Sequence, residues 1–337
     1  MSDGRESGTS IMTNESVKTD AGISYITFDE ALSLTRDETD RVLSASPSIV
    51  RRYTKHLASS RGKFIRAIAL LTCAQNKDGR IHPNAVKFAA AIETLHLATL
   101  VHDDVIDDAD IRRGFPTLQK QYGKRTAVIC GDYLLCIALK LAADIPNKQD
   151  YLKLNMPDYM TKVCFGELNE QINNGNLDLT VYRYLKIISG KTAALFEASY
   201  YAGAILSWDE SSEMKKYQKL GRHIGMIFQL IDDCIDYEAT EDIARKPVQS
   251  DFEHNVITLP LIHAFANLTG FKEKAKRNEV TRHDVDEAVA RANGISYTRM
   301  VAKKYYDKYI KTVNDMNITE GKRNSLISIL DKAYRVF

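Results

Sequence analysis

The chain has 337 residues, of which 44% are hydrophobic, and this length is sufficient for one large domain with a continuous core. Its 46 Lys and Arg residues nearly balance its 44 Asp and Glu residues. A chain with so little net charge generates no global field for nucleic acid or for an anionic membrane surface, so any attraction for phosphate must be local.

The first 22 residues, MSDGRESGTSIMTNESVKTDAG, contain no apolar core of the kind that a signal peptide needs. Their Ser, Thr, Gly and charged residues predict a disordered tail before a single domain spanning 23–337. No CxxC pair occurs among the cysteines, which predicts small buried thiols in a reducing compartment and a cytoplasmic protein. The cysteines are Cys73, Cys130, Cys136, Cys164 and Cys234.

Helical periodicity recurs along the chain, and no alternating segment predicts a sheet. Thr27 and Glu30 match a capping box and place the first helix start close to Asp29. The segment NAVKFAAAIETLHLATLV has a broad apolar surface at helical spacing, and Asn293 with Gly294 predicts a helix end. The sequence therefore predicts ten or so helices in an all-α bundle.

The longest apolar run is AVICGDYLLCIALKLAADI. Asp132 and Lys140 interrupt it, and charged residues are costly in the centre of a membrane span. We therefore predict a buried core helix here and no transmembrane segment.

An acidic cluster follows the first long apolar helix, in the segment VHDDVIDD. On a helix, Asp103 and Asp107 share a face, and Asp104 lies about 100° around from Asp103. Like charges at this spacing destabilise an isolated helix by about 0.2–0.5 kcal/mol per pair, and burial adds to that cost. A bound cation offsets both the repulsion between the carboxylates and the cost of burying them. Oxygen ligands too few to enclose an ion suit Mg²⁺, which takes its other ligands from water and substrate phosphate.

One D-D-x-x-D segment is also typical of a solvated helix end, but the sequence contains a second. The segment FQLIDDCIDY has Asp232, Asp233 and Asp236 after another apolar helical run. Two such clusters favour facing carboxylate walls with Mg²⁺ ions between them.

Basic side chains lie near both clusters in the sequence. Each alone is typical of a surface charge, but around a magnesium site they predict diphosphate binding, with arginine bidentate and lysine acting as a point charge. Gly62 would allow the backbone to approach a phosphate. The candidates are Lys63, Arg66, Arg112, Arg113, Lys191 with Thr192, and Lys246.

Seven segments, in chain order, resemble the motifs of the trans-isoprenyl (polyprenyl) diphosphate synthases, most closely the bacterial medium- and long-chain catalytic subunits. They are GKFIR, LVHDDVIDDADIRRGFPT, GEL, KTAALFEA, FQLIDDCIDY, ARKPVQSD and TLPLI, spanning roughly residues 61–264. The resemblance implies an isoprenoid synthase-type helical bundle around a central cavity. It also implies a Mg²⁺-dependent prenyltransferase that condenses isopentenyl diphosphate with an allylic diphosphate.

The resemblance further implies roles for individual residues. Asp103, Asp107 and Asp232 are the expected metal ligands. The remaining catalytic residues are expected to be Asp104, Asp233, Asp236 and Lys191. The residues expected to bind the allylic diphosphate are Arg112, Lys191, Thr192, Gln229 and Lys246.

Isopentenyl diphosphate needs a separate anion site without metal, and the family's residues there correspond to Lys63, Arg66, His96 and Arg113. A histidine at this spacing is otherwise typical of a helical core. Phe228 is expected near the reacting carbons, where its ring face would stabilise a carbocation.

Product length in this family depends on the residues before the first aspartate, where bulky aromatics close the cavity at farnesyl length. Ala98 and Thr99 occupy these positions and are small. A product longer than farnesyl diphosphate is therefore expected, such as the side chain of a quinone that a membrane enzyme receives. Geranylgeranyl diphosphate is the alternative product.

Several residues depart from the family pattern. Ala67 stands where a proline usually follows the Gly-Lys-x-x-Arg motif, and Glu170 replaces an expected glutamine after GEL. Arg245 replaces a glycine, and Asn255 with Val256 replaces a Gly-Lys or Gly-Asn pair. These changes raise the question of efficiency, or of dependence on a small partner subunit, in a family that is normally homodimeric.

Two rival functions remain open at this point. A class I terpene cyclase also ionises an allylic diphosphate with Mg²⁺, but its second metal motif is usually degenerate and it has no isopentenyl site. A non-catalytic subunit that binds prenyl diphosphate is expected to have lost aspartates, whereas both D-D-x-x-D segments are complete here.

Overall fold

The computed structural model describes residues 23–59, 62–146, 158–207, 211–238 and 255–334. The predicted N-terminal tail, Arg245 and Lys246 lie outside the described residues.

The described chain is almost entirely helical, which confirms the all-α prediction. Its first helices are α1 (Phe28–Ser44), α2 (Ser48–Ser59), α3 (Ile65–Cys73), α4 (Asn84–Ile106), α5 (Leu118–Tyr122), α6 (Lys124–Ala143) and α7 (Tyr159–Asn173). The later ones are α8 (Val181–Ile188), α9 (Ala194–Leu206), α10 (Ser211–Glu238), α11 (Leu259–Asn267), α12 (Thr269–Lys276), α13 (Arg282–Arg291), α14 (Gly294–Asn314) and α15 (Glu320–Tyr334). A π-helix, Ser189–Ala193, joins α8 to α9.

Local signals predicted the helix ends where a cap is present. The Thr27 side chain accepts a hydrogen bond from the Glu30 N–H at 3.3 Å, and α1 begins at Phe28. Asn293 has a left-handed conformation, with φ of 55°, and separates α13 from α14. Both predictions are confirmed.

Two long helices, α4 and α10, organise the core. On one side α10 packs against α9, α14 and the π-helix, and on the other side of the molecule α4 packs against α6, α1 and α3. Helix α9 contacts both α3 and α10 and so connects the two groups. Each long helix therefore has an apolar length in the core and ends at one of the aspartate clusters.

A short antiparallel hairpin follows α4, although no sheet was predicted. Strand β1 (Ile111–Arg112) pairs with β2 (Phe115–Pro116), so that Arg112 lies opposite Phe115. Arg113 and Gly114 form the turn with φ of 53° and 81°. Positive φ at both central residues is the requirement of a type I′ turn, and strands this short give no periodic sequence signal.

Helix α6 corresponds to the longest apolar run, but the prediction of a buried core helix is only partly correct. It is long and apolar enough to cross a membrane, and 33% of its apolar window is buried. One face packs against α4, while Ile129 is 65% and Leu139 51% exposed on the other.

The cysteines are all free thiols, but they are not all buried. Cys73, Cys130 and Cys234 are buried, whereas Cys136 and Cys164 are exposed. The prediction is wrong for these two because they lie on the outward faces of α6 and α7, where periodicity cannot distinguish a face that meets the core from one that does not.

Candidate active site

The first aspartate cluster lies at the C-terminal end of α4. Helical geometry continues through Asp107, whose N–H donates to the Asp103 carbonyl at 2.8 Å, so the predicted i, i+4 relation of these residues holds. Asp104 is buried, whereas Asp103 and Asp107 are half-buried. Carboxylates here also oppose the helix dipole, whose C-terminal end is negative.

The hairpin after α4 directs its two arginines to different neighbours. Arg112 forms an ion pair with the buried Asp104. Arg113, in the turn, places its guanidinium against Gly62, where an added Cβ would come within 2.9 Å of Arg113 Nη2. The group that Gly62 admits in this structure is therefore the arginine.

Burial raises the pKa of Asp103 to about 7, and Lys191 is the strongest influence that opposes this rise. Glu167 and Asp107 add to it because both are like charges. Burial is therefore the main cost of ionising Asp103, and the neighbouring carboxylates add to that cost.

Lys191 reaches this group because of a close contact between two glycines. Gly166, in α7, packs against Gly190, in the π-helix. A Cβ on Gly166 would lie only 2.0 Å from the backbone nitrogen of Lys191. The contact brings GEL against SGKT, so that the Lys191 ammonium pairs with Glu170 and lies 3.2 Å from Glu167. Burial lowers the pKa of Lys191, but Glu170 and Glu167 raise it by more, so the side chain stays protonated.

The second aspartate cluster lies in the last turns of α10. Asp232 is half-buried, and Asp233 and Asp236 are buried. Asp233 accepts hydrogen bonds from the Tyr184 hydroxyl and, at 2.8 Å, from Gln229 Nε2. Asp236 lies 3.8 Å from Arg282 Nη1. The three aspartates outside the predicted metal-ligand set, Asp104, Asp233 and Asp236, are thus the buried ones, and each contacts a polar side chain.

The π-helix connects the two clusters. The Thr192 hydroxyl donates to Gln229 Oε1 at 2.7 Å, and Gln229 in turn donates to Asp233. Lys191 directly precedes Thr192 in the chain, and its positive charge lowers the pKa of Asp103. The predicted residues Lys191, Thr192 and Gln229 therefore lie together between the clusters, and a π-turn at such a position is common in functional sites.

The predicted isopentenyl diphosphate residues form a second basic group. Arg66 Nη1 donates to His96 Nε2 at 3.0 Å, and its guanidinium stacks on the Phe196 ring at 4.4 Å. Burial and the nearby Arg66, Arg113 and Arg112 lower the pKa of His96 well below its usual range. His96 is consequently neutral and accepts at Nε2, which assigns the proton to Nδ1. Lys63 is exposed at the start of this segment.

Phe228 was predicted to lie near the reacting carbons, and Ala98 and Thr99 to limit product length. The three side chains differ in burial and in packing. Phe228 is partly buried and packs on Phe196, with ring centroids 5.5 Å apart. Ala98 is 2% exposed and packs with the α6 residues of the core, whereas Thr99 is half-buried and donates to the His96 carbonyl at 2.8 Å. Thr99 and Ala98 thus point to different surroundings.

The acidic residues after the first cluster have ordinary surface roles. Asp108 pairs with Lys124 at 3.0 Å and Asp110 with Lys120 at 2.8 Å. The partners of these exposed carboxylates are lysines and not the neighbouring arginines. Asn255 has φ of 61°, a conformation that glycine adopts without strain, so asparagine is a suitable replacement at that position.

The carboxylates fit Mg²⁺ better than a metal that proteins enclose completely. Within the described ranges, no three His, Cys, Asp or Glu side chains converge closely enough to hold an ion by themselves. Mg²⁺ needs only one or two carboxylates because it keeps waters and binds substrate phosphate. The raised pKa of Asp103 also shows a carboxylate whose charge a cation would favour.

Four functional candidates were missed from the sequence: Glu93, Glu167, Tyr184 and Arg282. Glu93 carried a signal, since it is the only acidic residue of α4 before Asp103 and lies three residues before His96. Glu167 is part of GEL, but its partner depends on the contact between Gly166 and Gly190. Tyr184 and Arg282 lie far from the aspartates in sequence, so only tertiary packing identifies them.

The chain is similar to known proteins in sequence and in fold. A family model described as Polyprenyl synthetase matches residues 47–292. The chain is 30% identical over 327 residues to heptaprenyl diphosphate synthase component 2 of Bacillus subtilis, covering 93% of this chain and 92% of that protein. It is 31% identical over 296 residues to octaprenyl diphosphate synthase of Escherichia coli, covering 85% and 90%. The crystal structure of geranylgeranyl pyrophosphate synthase from Lactobacillus brevis has a TM-score of 0.79 and 29% identity, covering 91% and 96%.

Replacing Glu170 tests its effect on Lys191. Glu170→Gln removes one of the two carboxylates on the Lys191 ammonium, so an anionic ligand meets less competition. We expect metal-free binding of inorganic pyrophosphate at low salt to strengthen by roughly 3- to 10-fold. Isothermal titration calorimetry measures the change.

The matched control is Glu273→Gln, which removes a carboxylate from an exposed pair with Lys276. It should leave pyrophosphate affinity unchanged. Weaker binding by Glu170→Gln would show that the carboxylate holds Lys191 in a binding position and does not compete with the ligand.

Proposed function

From the premise that this chain belongs to the polyprenyl synthetase family and is a prenyltransferase that makes trans-polyprenyl diphosphates, we propose its substrates, metal and product class. The reaction is the Mg²⁺-dependent condensation of isopentenyl diphosphate with an allylic diphosphate. The observation that carries this proposal is the connection of two D-D-x-x-D clusters through Lys191, Thr192 and Gln229.

Asp103, Asp107 and Asp232 are the proposed metal ligands. They are the half-buried members of the two clusters, while Asp104, Asp233 and Asp236 are buried against polar side chains. When bound, Mg²⁺ neutralises charge on the departing pyrophosphate. This division leaves the half-buried carboxylates for the metal and uses the buried ones to orient their helices.

The allylic diphosphate lies between the clusters in this proposal. Lys191 and Arg112 supply cationic donors for it, and Thr192 orients the Gln229 amide, whose second N–H supplies a neutral donor. Lys246 is proposed to complete the set. When the allylic C–O bond breaks, the electron pair leaves with pyrophosphate, and these donors stabilise the charge that develops there. The new C–C bond then forms from the isopentenyl double bond, and a proton leaves to the released pyrophosphate.

Isopentenyl diphosphate is proposed to bind at Arg66, Arg113, His96 and Lys63. Arg66 supports this role because its Nε has no hydrogen-bond partner among the described residues, although the atom is buried. A buried donor without a partner is costly, and a diphosphate oxygen would satisfy it. Neutral His96 accepts from Arg66 and can donate from Nδ1, so it orients the arginine without adding repulsion.

This second basic group argues against a class I terpene cyclase, which has a single diphosphate to bind. Two intact aspartate clusters argue against a non-catalytic subunit. A cytoplasmic location stays a prediction, supported by five free cysteines.

Removal of one metal ligand from either cluster tests the reaction. Asp103→Ala and Asp232→Ala should each lower the Mg²⁺-dependent incorporation of labelled isopentenyl diphosphate by about 10²–10³-fold or more, since each removes stabilisation of the leaving group. Asp110→Ala, which breaks only an exposed pair with Lys120, is the control and should retain activity. An active Asp103→Ala or Asp232→Ala enzyme would refute the two-cluster site.

A product longer than farnesyl diphosphate is the proposed outcome, because Thr99 is small and half-buried near His96. Thr99→Phe should shorten the product, as determined by chromatography of the dephosphorylated prenyl chains, while Thr99→Val should not. Ala98→Phe is less suitable because it would overpack the contact of α4 with α6, at a typical cost of about 1–3 kcal/mol. An unchanged product with Thr99→Phe would exclude this position as a limit on length.

A homodimer is the proposed assembly, and the exposed apolar stripes of α6 and α7 are the proposed contact. Ile129 is 65%, Phe165 60% and Ile172 70% exposed, and apolar stripes of this kind are typical of protein interfaces. The heteromeric alternative comes from the Bacillus subtilis relative, whose name describes one component of a synthase.

Sedimentation of the purified chain distinguishes these assemblies. We expect a dimer that Ile129→Asp and Phe165→Asp each convert to monomer, because a buried carboxylate would be desolvated at the contact. Ile49→Asp is the control, since Ile49 is 79% exposed on α2. A monomer that condenses substrates only after addition of a second polypeptide would establish the heteromer instead.

A further inference from the structure

The buried end of α3 is held by a carboxylate from a different helix. Helix α3 begins at Ile65, and its N-cap residue, Phe64, has φ of 54° and provides no side-chain cap. The first N–H groups of such a helix need another acceptor. Glu93, in α4, supplies one: its Oε1 accepts from the Ala67 N–H at 2.9 Å. The Arg66 N–H also interacts with this carboxylate and lowers its pKa.

These two donors occupy the second and third positions of α3, which an ordinary N-cap side chain would satisfy. A carboxylate at this position also interacts favourably with the positive end of the helix dipole. Glu93 therefore replaces the missing local cap. Burial raises the pKa of Glu93, and the Ala67 N–H and Arg66 are the main influences that oppose the rise.

The Ala67 bond is a property of this chain and not of the family pattern it resembles. A proline is usual at this position, and proline has no N–H to donate. Alanine here gives Glu93 a second backbone donor on α3. The departure that looked like a loss in the sequence thus adds a hydrogen bond between α3 and α4.

The same helix turn carries Arg66, so the contact of Glu93 with the start of α3 lies next to the proposed isopentenyl diphosphate site. Glu93 and His96 are three residues apart on α4 and lie on one face. Glu93 holds the backbone of Arg66 and Ala67, while His96 Nε2 accepts from the Arg66 guanidinium at 3.0 Å. The negative charge of Glu93 also reduces the repulsion between Arg66 and Arg113.

We propose that Glu93 is a positioning residue: through the N–H groups of Arg66 and Ala67 it fixes the start of α3, so that the Arg66 guanidinium is preorganised for the diphosphate of the homoallylic substrate. This inference rests on the proposed function of the Arg66 site. Glu93 itself does not contact the substrate.

Steady-state kinetics of the full chain test the proposal with Glu93→Ala, Glu93→Gln and Ala67→Pro. Glu93→Ala should raise KM for isopentenyl diphosphate by about tenfold, while KM for the allylic substrate changes by less than about twofold. Glu93→Gln keeps an acceptor oxygen and should recover most of the affinity. Ala67→Pro removes one donor and should raise the same KM by roughly threefold.

The double variant Ala67→Pro/Glu93→Ala separates a direct coupling from independent damage. If the two residues act through one hydrogen bond, its KM should match that of Glu93→Ala alone. Glu213→Ala is the control, because it removes a buried carboxylate near the start of α10, which pairs with Lys216. It should leave the ratio of the two KM values unchanged.

Other outcomes would contradict either the positioning role of Glu93 or the proposed function. Equal increases in both KM values, or additive effects in the double variant, would reduce Glu93 to a general structural role and refute the positioning proposal. If Glu93→Ala does not fold, Ala67→Pro gives the same comparison of the two KM values. A wild-type chain that binds pyrophosphate but does not condense the two substrates would contradict the proposed function, independently of Glu93.

Discussion

Repulsion among carboxylates at the ends of two buried helices is the constraint on which this structure depends. Helices α4 and α10 each run through the core and end in a D-D-x-x-D cluster, where the helix dipole is also negative. Neither effect favours folding. Burial is the main cause that raises the pKa of Asp103 to about 7, and the neighbouring carboxylates add to the rise. The arrangement becomes favourable only when cations meet these carboxylates, and the protein supplies part of that charge itself.

The protein's own cations reach the carboxylates through irregular backbone. The hairpin turn directs the two neighbouring arginines to different partners. Arg112 pairs with Asp104, and Arg113 lies against Gly62. A π-helix and the contact of Gly166 with Gly190 bring Lys191 to Glu167 and Glu170. The long helices α4 and α10 carry the two aspartate clusters, whereas Arg112, Arg113 and Lys191 lie in the hairpin and the π-helix.

The residues that depart from the family pattern acquire physical consequences in this arrangement. Glu170 adds a negative charge to Lys191, which weakens the field that an incoming diphosphate meets. Ala67 adds order at the proposed isopentenyl diphosphate site, because its N–H donates to Glu93 and joins α3 to α4 beside Arg66. The two proposed substrate sites therefore depart from the family pattern in different ways, one by charge and the other by preorganisation. A resemblance based on motifs alone does not distinguish them.

The sequence by itself determined the helical class, the two acidic clusters and the family, because periodicity and motif spacing are local properties. The start of α1 at Thr27 and the break at Asn293 followed from capping chemistry in the same way. Only the tertiary structure decided which aspartates are buried, that Glu93 caps α3, and that Tyr184 and Arg282 support the second cluster. It also decided that α6 has an exposed apolar face, which periodicity cannot reveal. Such contacts join residues far apart in sequence, and their partners depend on how the helices pack, which no short segment specifies.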